Sequence, residues 1–79
     1  MVETNKMIDI GQGSVVNSAR LLAVVQPDAA PIRRLVREAR ERFTLVDATG
    51  GKKTASVLIM DSDHVILSSL NVEHIQIQI

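Results

Sequence analysis

The sequence predicts an α+β fold: a small, mostly antiparallel β-sheet of about four or five strands with one amphipathic helix packed on it. Three observations predict it. Short apolar runs are separated by glycine, asparagine and aspartate breaks, the punctuation of strands and turns. One segment instead repeats its apolar residues at helical spacing. The end of the chain alternates strictly, the period of a half-buried strand.

Taken in order, Met7-Ile8-Asp9-Ile10 reads as a short strand stopped by Gly11-Gln12-Gly13, and Val15-Val16 resumes extended structure. Leu21–Val25 is a continuous apolar run, as expected of a strand covered on both faces. Gln26-Pro27-Asp28 ends it. Asp28 suits a helix N-cap, and Pro31 suits the first turn, where its missing N–H does little harm. Ile32, Leu35, Val36, Ala39 and Phe43 then fall on one stripe, which predicts a helix over Pro31–Phe43. Arg34–Glu38, Arg37–Glu41 and Glu38–Arg42 stand four apart on it, each pair contributing about 0.2–0.5 kcal/mol. Thr44–Asp47 predicts a strand, broken by Ala48-Thr49-Gly50-Gly51. Thr54–Met60 and His64–Ser68 predict a hairpin around the turn Asp61-Ser62-Asp63. Ile75-Gln76-Ile77-Gln78-Ile79 is the alternating segment.

Seventy-nine residues predict one domain over 1–79. A chain this short buries only about 60% of its unfolded surface, so its core needs a staple. No cysteine is present, which excludes disulfides and thiolate metal sites. Two histidines, His64 and His74, are too few for a zinc cage. With 46% apolar residues, the remaining staple is burial between copies of the chain, so self-association is expected. The longest apolar run has five residues against the ~20 that span a bilayer. Met1–Thr4 carries an acid and no apolar leader core. A cytoplasmic protein with no membrane partner is expected.

Nine basic and nine acidic residues cancel, but their placement is uneven. Between Ile32 and Phe43 five arginines face two acids, whereas Lys6, Arg20, Lys52 and Lys53 are set against seven acids elsewhere. Placement governs local fields more than the sum does.

The motifs that resemble nucleotide sites fail on context. Gly11-Gln12-Gly13 lacks the third glycine of a dinucleotide fingerprint, since position 16 is Val16, and predicts a tight turn. Gly51-Lys52-Lys53-Thr54 has a second lysine before the threonine, Val46 where a phosphate loop needs glycine, and a strand after it. Asp61-Ser62-Asp63-His64 holds ligand-type residues that a turn favours for their own backbone bonds. Asp9 and Asp47 stand alone, and no nucleophile–base set is present. No enzyme, cofactor, metal or small-molecule substrate is expected. Lys52-Lys53 on a glycine loop is either a solvated tip or a phosphate clamp, and Arg20, before an apolar strand, is either a surface residue or a second cation. The helix arginines Arg33, Arg34, Arg37 and Arg40 fit a solvated or intersubunit face. Phe43 is the one aromatic residue, so no base-stacking platform can be built. If nucleic acid is bound, duplex DNA is the better match.

Several collinear stretches carry a resemblance. They are Ile8–Gly13, Ala19–Val25, Ala29–Arg34, Glu38–Arg42, Leu45–Thr54 and Asp61–Ser68, covering about residues 7 to 70. In these the chain resembles the RemA family, small bacterial regulators of extracellular-matrix (biofilm) genes. The resemblance implies a nucleoid-associated transcriptional activator that binds double-stranded DNA as a ring-like homo-oligomer. It implies DNA contacts from Arg20, Lys52 and Lys53, on a loop supported by Gly50, Gly51 and Thr54. Lys-Lys stands where the family has Arg-Arg, which keeps the charge but loses the bidentate fork. The resemblance also implies a helical C-terminal segment, against the strand its alternation predicts. Arg20, Lys52 and Lys53 are expected to converge on one exposed surface. The alternative is a structural or adaptor oligomer that binds proteins, its basic loop merely solvated.

Overall fold

The computed structural model describes residues 6–79; the leader-free reading of Met1–Thr4 lies outside the described residues. The elements are β1 (Met7–Gly11), β2 (Ser14–Asn17), a 3₁₀ turn (Ser18–Arg20), β3 (Leu21–Val25), α1 (Ala30–Glu41), β4 (Leu45–Asp47), β5 (Ser56–Met60), β6 (Val65–Ser68) and α2 (Val72–Gln76). The α+β class and the mostly antiparallel pairing hold. The strands, however, divide between two sheets. β1 and β2 form a separate hairpin, and the other four lie in the order β3-β5-β6-β4. β3/β5 and β5/β6 are antiparallel, whereas β4 runs parallel to β6.

Period-two alternation explains the three layers. Val57, Val65 and Leu67 face α1, where Ala39 is buried and Ile32, Leu35 and Val36 pack around it. Leu58, Met60 and Ile66 face the other way and meet Ile8, Ile10 and Val16 of the hairpin and Ile75 of α2. The continuously apolar strands covered on both faces are therefore β5 and β6. β3 is an edge strand instead. A register shift between Leu21 and Ala23 leaves Leu22 69% exposed.

The helix also departs from expectation at both ends. Its N-cap is Ala29, with no side-chain cap; the Asp28 carbonyl instead accepts from the Arg33 guanidinium. At the other end the Phe43 N–H donates to the Arg40 carbonyl at 3.3 Å and the Thr44 N–H to the Ala39 carbonyl at 2.9 Å. That pair of hydrogen bonds is a Schellman stop, with Phe43 in the left-handed position at φ 60°. Phe43 thus leaves the apolar stripe and is 94% exposed. None of the three expected i,i+4 ion pairs closes; among the described residues the one ion pair is Arg20–Asp61.

The C-terminal segment is a helix, as the resemblance implied, and the alternation misled. Asn71 caps it by accepting from the His74 N–H at 2.8 Å. Ile75 is fully buried, while Ile77 and Ile79 are exposed. Gln78 takes the strand's place: its amide bonds the Asp9 N–H and carbonyl, both at 2.8 Å.

Candidate nucleic-acid interface

The lysine loop is built by the end of β4. Asp47 Oδ1 accepts from the Thr49 N–H at 3.0 Å and from its hydroxyl at 2.6 Å, a local turn typical of Asp and Thr. The Ala48 N–H donates to the Leu67 carbonyl at 3.0 Å and the Ala55 N–H to that of Ser68 at 2.8 Å, so the segment is pinned at both ends to β6. Thr49 is buried. Its hydroxyl and N–H, with Arg40 nearby, hold the Asp47 carboxyl below the ordinary aspartate range. Gly50 and Gly51 have φ of 62° and 85°, and the Lys52 N–H closes the turn on the Thr49 carbonyl at 3.1 Å. Gly50 sits against Gln12 of the β1–β2 turn: a Cβ there would lie 3.0 Å from the glutamine Oε1. Lys52 and Lys53 are exposed and Thr54 is half-buried.

Arg20 belongs to a different place. The Asn17 side chain accepts from the Ala19 N–H at 2.9 Å and shapes the 3₁₀ turn. The Arg20 carbonyl accepts from the Asp61 N–H at 2.8 Å, and its Nε lies 3.3 Å from Asp61 Oδ1. Both partners are exposed, so the pair contributes only about 0–1 kcal/mol. Leu21 pairs with Met60 and Val25 with Val57. Arg20 therefore lies at the end of β5, and Lys52 and Lys53 before its start. The length of β5, roughly 13 Å, separates them. The expected convergence does not occur within one protomer, because β3 runs antiparallel to β5.

What the lysine loop does adjoin is α1. Arg33, Arg37 and Arg40 line a groove of about 470 Å³ with Thr54 also on its wall and Val36, Val57 and Leu67 beneath. A second hollow of about 410 Å³, which shares Pro27 and Thr54, extends to Lys53 and Asp28. Sequence reasoning missed this grouping, although the spacing 33, 37, 40 places all three arginines on one helix face. In the turn beside Arg20, Ser62 Oγ lies 2.8 Å from His64 Nδ1. Among the described residues no three His, Cys, Asp or Glu side chains gather as a metal site, and no helix is long and apolar enough to cross a membrane.

A family model described as extracellular matrix regulatory protein A-like (RemA-like) matches residues 7–79. The chain belongs to the RemA-like family. Its relatives include a protein of Geobacillus kaustophilus (strain HTA426) that bears the name "Putative regulatory protein", 56% identical over 68 residues, which are 86% of this chain and 78% of the relative. One from Caldicellulosiruptor saccharolyticus is also 56% identical over 68 residues, covering 67% of its length. Another, from Brevibacillus brevis, is 53% identical over 68 residues and covered over 79% of its length. Family and relatives carry the names of regulators rather than of enzymes.

Proposed function

We propose that this RemA-like chain is a transcriptional regulator that binds duplex DNA as a homo-oligomer, through Lys52, Lys53 and Arg20. The observation that carries the reading is the lysine loop. Two adjacent exposed cations stand on a turn that Asp47, Thr49 and the end of β6 hold in place. A fixed pair of cations suits phosphates, and with one aromatic in the whole chain no stacking site for single strands competes. The regulatory names of the family and its relatives support the role, and the family's description points to extracellular-matrix genes as targets. The working location is then the nucleoid.

A few cations per protomer hold DNA weakly, so repetition is part of the mechanism. Repeated sites raise avidity by about 10²–10⁴ without a new kind of contact. Exposed Leu22, Phe43, Val46 and Ile77 supply apolar surface that copies of the chain can cover, and a closed ring is the arrangement we favour. Because Arg20 sits at the other end of β5, it reaches phosphates apart from those that the lysines hold.

Gel shift and light scattering test this together. The parent should bind a short duplex with a slope of log K against log salt near −5 if about six phosphates are engaged. Arg20→Ala and Lys52→Ala/Lys53→Ala should weaken binding at unchanged elution volume. The same exposed apolar side chains favour a second reading, an adaptor oligomer for protein partners. Absence of duplex binding at low salt, with the assembly intact, decides for it.

A further inference from the structure

We propose that the groove between α1 and the lysine loop is a second phosphate-contact surface, which takes the sugar–phosphate backbone of the strand that Lys52 and Lys53 hold. The proposal rests on the DNA-binding reading above and enlarges the surface that reading has to offer. Three observations carry it.

First, the arginines form a row. Arg33, Arg37 and Arg40 all line the groove, and at 1.5 Å per residue they extend over about 10 Å of helix. That is a line of guanidiniums rather than a point, suited to a polymer of phosphates.

Second, the row is free to bind. Among the described residues the one ion pair is Arg20–Asp61, and no acid lines the groove. Arg33 spends one donor on the Asp28 carbonyl, and Arg40 lies near enough to the Asp47 carboxylate to favour its charge without closing an ion pair; Arg37 and Arg40 keep guanidinium donors for an anion, in the planar geometry that matches phosphate oxygens in pairs. The row also continues past α1. Pro27 and Thr54 line both hollows, and Lys53 lines the second, where Asp28 is the one acid. A strand leaving the lysines toward Thr54 meets Arg33 next and then the other two arginines.

Third, the floor selects the backbone over a base. It is aliphatic, Val36, Val57 and Leu67, and no aromatic side chain reaches it; Phe43 lies beyond the helix end. A nucleotide base finds no stacking partner there. Val57 and Leu67 are themselves buried, so deoxyribose rests on the half-buried Pro27 and Val36 while its phosphates meet the guanidiniums above.

The test compares Arg37→Ala/Arg40→Ala with Arg37→Lys/Arg40→Lys by titrating a short duplex at several salt concentrations, with the assembly followed by light scattering. Each phosphate contact contributes about 0.9 to the slope of log K against log salt. The alanine variant should lose about 1.8 from the slope per contacting protomer, and the lysine variant should keep the slope. An unchanged slope in the alanine variant overturns the proposal, and so does a loss explained by a smaller assembly. Titration with ATP supplies the remaining arm. Saturable, Arg37-dependent ATP binding with no change in the duplex slope makes the groove a small-ligand site and also overturns it. The two readings fail differently. Parent binding with an unchanged alanine slope removes the groove alone, whereas a parent that binds no duplex removes both.

Discussion

One carboxylate oxygen of Asp47 receives both the backbone N–H of Thr49, at 3.0 Å, and its hydroxyl, at 2.6 Å. This pair fixes the first residues of the lysine loop, and it sets a pH dependence. The Thr49 hydroxyl, its N–H and Arg40 all favour the ionised acid, so Asp47 is held below its ordinary value of 3.8. A lowered acid contributes stability that is complete above the unfolded value and lost as pH falls through the folded one. Thermal melts of the parent and Asp47→Asn should therefore differ by a constant amount from neutral pH down to about 4, and converge only below it. Convergence already near pH 6 would show that another group controls the loop.

Gly50 is required for two separate reasons, which a double-mutant cycle can part. Its φ of 62° costs a residue with a Cβ about 1–2 kcal/mol. In addition, a Cβ would come within 3.0 Å of Gln12 Oε1 and 3.1 Å of its Cγ. Gly51 has a similar φ, 85°, but nothing within 4 Å of its Cβ position. Urea titrations should show Gly50→Ala less costly in a Gln12→Ala background, with a coupling of at least about 0.5 kcal/mol. Gly51→Ala should show no coupling to Gln12.

Ser56 and Ser68 face each other across β5 and β6 and are fully buried. They are polar because they join layers. The Ser68 hydroxyl donates to the Ile10 carbonyl at 2.7 Å and accepts from the Leu70 N–H at 3.0 Å; that of Ser56 donates to the Leu70 carbonyl at 2.7 Å. Ser68→Ala strands a carbonyl and an amide, each costing about 1–3 kcal/mol when buried and unpaired. Ser56→Ala strands one carbonyl. Equilibrium urea unfolding should rank Ser68→Ala below Ser56→Ala, and equal midpoints would refute the two-bond role of Ser68.

Where sequence and structure agree, a local rule had no competitor. β3 was bounded to the residue, and the β5–β6 hairpin and the body of α1 followed from period and turn chemistry. The failures are cases where tertiary context decided. Ile75, Ile77 and Ile79 alternate, but a capping asparagine four residues before Ile75 nucleated a helix. β3 is as apolar as a central strand yet lies at an edge, since only pairing order distinguishes the two. The candidate cations were readable as residues, whereas their grouping was not. The lysine loop joins Arg33, Arg37 and Arg40 because α1 starts at the end of the sheet where β5 also starts. Arg20 was lost from that group for the converse reason.

Phe43 shows how a sequence rule can be overridden and what that predicts. Eleven residues after Ile32, it fits the apolar stripe, but α1 stops at Glu41 and Phe43 takes the left-handed position after the cap, where glycine is favoured. There it packs on little, being 94% exposed, so an aromatic ring is held in a conformation costing about 1–2 kcal/mol with no burial to offset it. Phe43→Gly should keep both Schellman bonds and raise the urea midpoint of the single chain. If copies of the chain cover the ring, the same variant should also weaken self-association, so that light scattering against concentration shifts toward the protomer. A stabilised protomer with an unchanged assembly would place Phe43 outside the contact between copies, and a destabilised protomer would contradict the strain argument itself.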